Sequence, residues 1–282
     1  NVGKSTLTNA LVGEKIAIVT NKPQTTRNRI CAVVNREGCQ FVFLDTPGLH
    51  KARTRLGDYM LKVVKESVAD VDAVLLLVEP IPHIGGPEAE LIRRIKELNV
   101  PAVLVINKID TVEKEELLSV MQVYGAAHDF AAIVPISAKR NEGVDELLGL
   151  LAQFLPEGPQ LFPEDMVTDQ PERQVCAEII REKLLLCLDK EIPHGTAVEI
   201  TTFSERDDGI IDLDATIYCE KASHKGIIIG KGGAMLKKIS TLARTDIEAF
   251  MGTKVFLQTW VKVKENWRDN MNLIKNFGYR DE

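Results

Sequence analysis

At 282 residues the chain is long for one core and suits two domains. Hydrophobic content of 45% and charged content of 27% are those of an ordinary soluble protein, and a net charge of −6 argues against a uniformly basic nucleic-acid coat without excluding a local basic surface. The scattered cysteines (Cys31, Cys39, Cys176, Cys187, Cys219) form no Cys-x-x-Cys pair, which argues against a disulfide framework or a zinc site and for buried thiols in a reducing cytosol. The longest apolar runs, such as Ala73 to Val78, are too short for a transmembrane segment.

The chain opens on Asn1-Val2-Gly3-Lys4-Ser5-Thr6, the second half of the phosphate-binding pattern G-x-x-x-x-G-K-[ST]. The first glycine of that pattern and the strand before it are not in the sequence. The expectation is therefore an N-terminally truncated chain that binds nucleotide more weakly than a complete one. Gly3 lets the backbone wrap phosphates, Lys4 reaches the β- and γ-phosphates, and the Ser5 hydroxyl ligates Mg²⁺. Leu7, Ala10 and Leu11 give one apolar face of a short helix ending near Gly13.

A polar loop follows, with Pro23-Gln24-Thr25-Thr26-Arg27 at its centre. A threonine there can offer its hydroxyl to Mg²⁺ and its backbone N–H to a γ-phosphate. Ile30 to Asn35 and Gln40 to Leu44 read as two strands joined at Arg36-Glu37-Gly38. The second runs into Asp45-Thr46-Pro47-Gly48. An aspartate at a strand's C-terminal end is placed to hold Mg²⁺ through water, and the Gly48 N–H can sense the γ-phosphate. Leu49 then stands where a glutamine orients the attacking water in Ras-like switches, so the water must be positioned otherwise. His50 is a conceivable substitute, though a solvated loop histidine is the simpler reading.

Helices are expected over Arg53 to Ala69 and Glu88 to Leu98, and buried strands over Ala73 to Val78 and Ala102 to Ile106. The last strand ends in Asn107-Lys108-Ile109-Asp110. Asp110 can accept from both N1–H and the 2-amino group of guanine, whereas adenine would leave it unpaired. Asn107 braces the loop and the Lys108 stem covers the base. A helix from Glu113 to Tyr124 and a strand from Ile133 to Ile136 lead to Ser137-Ala138-Lys139, whose backbone N–H groups can meet the guanine O6. Val144, Leu147, Leu148 and Leu151 mark a final amphipathic helix. The alternation of strands and helices predicts a doubly wound α/β sheet.

These loops, in this order, resemble the translation-factor-like GTPases. The segments Asn1-Val2-Gly3-Lys4-Ser5, Pro23-Gln24-Thr25-Thr26-Arg27 and Asp45-Thr46-Pro47-Gly48-Leu49 resemble the Era group in particular, whose members lack the catalytic glutamine. The resemblance implies GTP and GDP as ligands, Mg²⁺ held by Ser5, Thr26 and Asp45, and Thr26 ahead of Thr25 as the switch threonine. It also implies a K⁺ ion beside Asn1. The double-domain Der group, which carries two GTPase domains in tandem, is the runner-up; the single set of motifs here favours the Era group.

Residues 156–171 hold four prolines and four acids, the chemistry of an extended linker. The expected domains are thus 1–155, a linker over 156–171, and 172–282. Apolar residues recur at helical spacing from Glu172 to Leu188, and Ala197 to Phe203 and Ile211 to Cys219 alternate as strands. Gly230-Lys231-Gly232-Gly233, the helix Met235 to Phe250, the strand Val255 to Val263 and a last helical stretch to about Phe277 follow. Gly-x-x-Gly between two helices in an α-β-β-α-α-β order resembles a type II KH domain, a single-stranded RNA binder of α+β class. From Glu199 to Glu220 the net charge is −6, and from Lys221 to Lys264 it is +7, so the basic side centres on the glycine loop.

By that resemblance Gly230, Lys231, Gly232 and Gly233 clamp RNA backbone, Ile228 and Ile229 help wall the base groove, and Lys237 and Lys238 add charge. Ile227 and Leu236 are expected in the core. Both halves together imply a GTP-hydrolysing factor of small-subunit assembly, with the 3′ end of 16S rRNA and the 30S subunit as partners. The location implied is cytoplasmic, with at most a weak peripheral contact of the basic face with the inner membrane. An RNA binder that holds guanine nucleotide only as a sensing ligand is the alternative.

Overall fold

A computed structural model describes residues 1–48, 52–67 and 71–279. Leu49 and His50, where a water-positioning group was sought, lie outside the described residues. The chain divides into two compact units, and the division does not follow chain order. Among the described residues the first contains 1–16, 29–48, 62–67 and 71–169; the second contains 17–28, 52–61 and 170–279. Among the described residues no helix is long and apolar enough to cross a membrane.

In the first unit, α1 (Lys4–Val12) leaves Gly3, and β1 (Ile30–Arg36) and β2 (Cys39–Asp45) form an antiparallel hairpin. Strands β3 (Val74–Val78), β4 (Ala102–Ile106) and β5 (Ala132–Pro135) form a parallel sheet in that order. Helices α3 (Gly86–Leu98), α4 (Lys114–Ala127) and α5 (Val144–Leu151) alternate with its strands. The crossover connections dictate the parallel pairing, and β4, central and covered on both faces, is buried at every residue. Leu7 and Leu11 of α1 pack with Val103, Val105, Leu147 and Leu151 in one core cluster; Ile92, Ile95, Val120 and Tyr124 close the other side of the sheet.

The hairpin and the parallel sheet are separate ladders. A cavity of about 380 Å³ lies between them, lined by Leu7 and Leu11, by Phe41 and Phe43 of β2, and by Leu75 and Leu77 of β3. The proline-rich segment after α5 forms no helix or strand, yet it is tied down. Val33 N–H donates to Val167 O at 2.9 Å, Thr168 Oγ1 to Cys31 O at 2.7 Å, and Gln40 Oε1 accepts from the Leu161 and Phe162 N–H groups.

In the second unit, β6 (Ala197–Glu205), β7 (Ile211–Cys219) and β8 (Val255–Val263) form a sheet, antiparallel and then parallel. Helices α6 (Glu172–Cys187), α7 (Ala222–Ile229) and α8 (Ala234–Met251) bury Ile179, Ile180, Ile228, Ile239 and Ile247 against Leu213, Ala215 and Ile217. The α-β-β-α-α-β order is as expected, and α9 (Met271–Asn276) is the additional helix. Helix α2 (Arg55–Ser67) begins in this unit, where the Tyr59 hydroxyl donates to Asn28 Oδ1 at 3.0 Å.

Residues 17–28 are built into this unit through Arg27. Its guanidinium is 1% exposed and lies 5.7 Å from the ring centroids of both Trp267 and Tyr279. It donates to Thr196 O and His194 O, each at 2.8 Å, and to the Tyr279 hydroxyl at 3.1 Å. Burial lowers its pKa, as expected for a cation taken out of water; the aromatic faces and carbonyls replace the lost hydration. The Glu182 carboxylate accepts from Val19 N–H at 2.9 Å, and Arg181 donates to Thr25 O.

Candidate functional site

The first unit gathers the loops that follow its strands. Gly3 caps α1 in the left-handed region at φ 96°, a conformation that suits glycine. The space beside it is taken: a methyl there would sit 2.3 Å from Asn107 Nδ2. Asn107 is the brace of the site. Its Nδ2 donates to Val2 O at 2.8 Å, its Oδ1 accepts from Ala138 N–H at 3.0 Å, and its own N–H reaches Val78 O at 2.9 Å. One buried side chain thus ties the phosphate loop to the two loops read as guanine-binding.

At the other end of that loop, Ser5 Oγ donates to Asp45 Oδ2 at 2.9 Å, and a methyl on Gly48 would lie 3.7 Å from the Lys4 ammonium nitrogen. Asp45 is 6% exposed, and among the described residues its Oδ1 has no hydrogen-bond partner. Burial holds its pKa above the ordinary carboxylate value, with Lys4 and the Ser5 hydroxyl partly offsetting the rise. A buried oxygen without a donor, beside a hydroxyl, is hard-ligand chemistry that fits Mg²⁺ completed by phosphate oxygens and water. Thr46 and Pro47 continue the loop towards Gly48, and Thr6 lies in the first turn of α1.

Asp110 follows β4 in a short 3₁₀ turn. Its Oδ1 accepts from Ser137 Oγ at 2.7 Å, and Arg140 Nε lies 3.6 Å from Oδ2. The Ser137 hydrogen bond leads the causes that hold this carboxyl below its usual range, so it is an acceptor at neutral pH. Lys108 takes φ 66°, and its ammonium donates to Asn1 O at 2.8 Å and pairs with Glu79. Glu79 was missed in the sequence. Its signal was present, since it directly follows β3, and strand C-termini line sites in such sheets. Lys139 is exposed.

Thr25 and Thr26 belong to the second unit. The Thr25 hydroxyl lies 2.7 Å from both Thr20 Oγ1 and Lys22 O, and Thr26 is 8% exposed. The same unit carries the glycine loop. Gly230, at φ 73°, has no room for a side chain, because a methyl would sit 2.7 Å from Met235 Cβ. Gly232 and Gly233 also have positive φ, 59° and 82°, but nothing lies within 4 Å of their missing methyls. Lys231, Lys237 and Lys238 are exposed around them.

Two isoleucines depart from the sequence expectation. Ile228, expected at the groove, is 0% exposed and packs in the core; Ile227, expected in the core, is 49% exposed. A run of three isoleucines carries no periodicity, so the rotation of α7 about its axis decides which faces inward. Ile229 and Leu236 are partly buried against the core.

Residues 1–108 match the family described as a 50S ribosome-binding GTPase, and residues 191–268 match the KH domain family. A GTPase Era from Ruminiclostridium cellulolyticum is 52% identical over 99% of this chain and 94% of its own length. One from Clostridium kluyveri is 50% identical over 99% of this chain and 96% of its own. A crystal structure of an Aquifex aeolicus Era variant bound to GDP and AlF₄⁻ superposes with a TM-score of 0.95 at 37% identity, covering 100% of this chain and 96% of that one. A structure of Era with MgGDPNP and nucleotides 1506–1542 of 16S ribosomal RNA superposes with the same TM-score, identity and coverage.

Proposed function

From the premise that the chain belongs to the Era family of GTPases with a C-terminal KH domain, we propose that it hydrolyses GTP to GDP and phosphate to control its binding to small-subunit ribosomal RNA near the 3′ end. The role that follows is assembly of the 30S subunit. The observation that carries the reading is Asn107, which joins the phosphate loop to both guanine-reading loops in one rigid cradle. The family matched over residues 1–108 is described by the large subunit, but a relative that matches over 96% of its own chain was solved with small-subunit RNA, which supports the small subunit.

Lys4 and the Gly48 N–H meet the γ-phosphate in this reading, and Asp110 accepts from the guanine edge while Ser137 holds it in place. Val2, Thr6 and the N–H groups of Ala138 and Lys139 complete the cradle. Ser5 and Asp45 hold Mg²⁺, with Thr26 as the switch threonine. The ion supplies neutralisation of the charge on the phosphate oxygens. Asn1 contributes to a K⁺ site. In the second unit the Gly230–Gly233 backbone and Lys231, Lys237 and Lys238 meet RNA phosphates, with Ile229 beside the groove.

Single-turnover GTP hydrolysis, measured with and without an RNA of the 16S 3′-terminal sequence, tests the enzyme. Loss of hydrolysis in Lys4→Ala and Asp45→Asn is expected, as is a faster rate in KCl than in NaCl. Absence of hydrolysis under every condition would leave a sensor, not an enzyme. Equal rates in the two salts would remove K⁺ alone.

A further inference from the structure

We propose that the outer face of the β6–β7–β8 sheet is a docking surface for an arginine-bearing basic segment of a partner protein. Helices cover one face of this sheet, where Ile211, Leu213, Ala215 and Ile217 are buried. The alternate residues of β7 point to the opposite face. In register there, Asp212 lies between Ser204 and Phe256, Asp214 between Thr202 and Gln258, and Thr216 between Glu199 and Trp260. One end of this face is covered, with Tyr218 stacked on Phe277 at 4.6 Å between ring centroids. The other end is open, leaving Phe256 49% and Trp260 55% exposed. Two large aromatics on one strand face are the kind of surface that binding covers.

Charge selects the occupant. Glu199, Asp212 and Asp214 lie on the face, and Glu205, Asp207 and Asp208 rim its open end, against Arg206 and Lys262. RNA stacked on Trp260 would bring its phosphates among these carboxylates, so a cationic polypeptide is the complementary partner. The sheet already holds an arginine in this way. The Arg206 guanidinium lies 5.2 Å from the Phe256 ring centroid while its Nε donates to Asp212 Oδ2 at 2.7 Å. Trp260 repeats the aromatic four residues along the strand, about 13 Å away at ordinary strand rise. Asp214 is its diagonal neighbour on β7, and Glu199 lies one strand further on. An arginine of a partner fits this second arrangement, because its flat guanidinium can stack and pair at once where a lysine ammonium cannot.

The chain has two tryptophans, and Trp267 is 0% exposed, so emission that responds to an added peptide reports Trp260. The full chain is titrated with a synthetic peptide of alternating arginine and glycine, its lysine counterpart, and a single-stranded RNA. Saturable quenching by the arginine peptide is expected, with the lysine peptide about tenfold weaker. By calorimetry, Trp260→Ala lowers arginine-peptide affinity about tenfold and Asp214→Asn lowers it severalfold, while Lys231→Ala leaves it unchanged. Melting curves superimposable with the parent exclude misfolding of the variants. No binding of the arginine peptide, equal affinity for the lysine peptide, or indifference to Trp260→Ala would each overturn the proposal. Quenching by RNA that Trp260→Ala abolishes would replace the protein partner with nucleic acid.

Discussion

Two glycine loops are the proposed phosphate contacts of this chain, one in each unit, and they need glycine for different reasons. At Gly3 the protein itself fills the space, since Asn107 Nδ2 stands 2.3 Å from the missing methyl. At Gly232 and Gly233 nothing stands within 4 Å. The first loop is closed by its own brace. The second is open at its tip; only at its first glycine, Gly230, is a side chain shut out, by Met235. A closed loop is preassembled, so damage to it disassembles the site. An open loop keeps its room for a ligand, so damage to it costs binding more than folding.

The largest expected effect follows from that closure. Gly3→Ala displaces Asn107 and lowers GDP affinity by about a hundredfold or more, measured by calorimetry. An affinity within about threefold of the parent would break the comparison by showing that the brace can yield. Next, Asp110→Asn tests the far side of the same brace. It shifts preference from GTP towards XTP by about 2 kcal/mol, roughly thirtyfold, because the acceptor for two guanine donors is lost. An unchanged GTP-over-XTP ratio would take guanine recognition away from this loop.

The open loop separates its own glycines. Gly230→Ala destabilises the second unit by about 1–3 kcal/mol, whereas Gly232→Ala costs only the left-handed strain of about 1 kcal/mol; denaturant melts compare them. Equal losses would mean that crowding at Met235 is relieved cheaply. Lys231→Ala leaves stability within about 0.5 kcal/mol but reduces the salt slope of RNA binding by about 0.7, as one phosphate contact is removed.

The smallest effect is a pH dependence in the closed site. Burial raises the folded pKa of Asp45 above 3.8, so the folded state holds this proton more tightly than the unfolded chain. The resulting stabilisation is present below about pH 4 and is lost as pH rises through the elevated folded value. Without Mg²⁺, Asp45→Asn therefore gains stability relative to the parent as pH rises towards neutrality. A pH-independent difference in melting temperature would show that Asp45 is charged at no cost.

Much of the site was legible because its residues are pinned to strand ends. Apolar runs announce β3 and β4, and the polar residues that follow them, Asn107 to Asp110 above all, must emerge at one edge of a parallel sheet. The pairing of Asn107 with Val2 and Ala138 was not legible, since 105 and 31 residues separate the partners. Nor was the inward turn of Ile228, because three adjacent isoleucines satisfy any helix rotation.

The sequence by itself determined the order of elements, the motifs read as phosphate- and guanine-binding, the glycine loop and the charge reversal around it. All of these rest on local spacing and on side-chain chemistry. Only the tertiary structure decided that residues 17–28 and 52–61 pack with the second unit, where Arg27 sits between Trp267 and Tyr279. That choice depends on a buried cation finding two aromatic faces and two carbonyls about 170 to 250 residues along the chain, which no local pattern encodes.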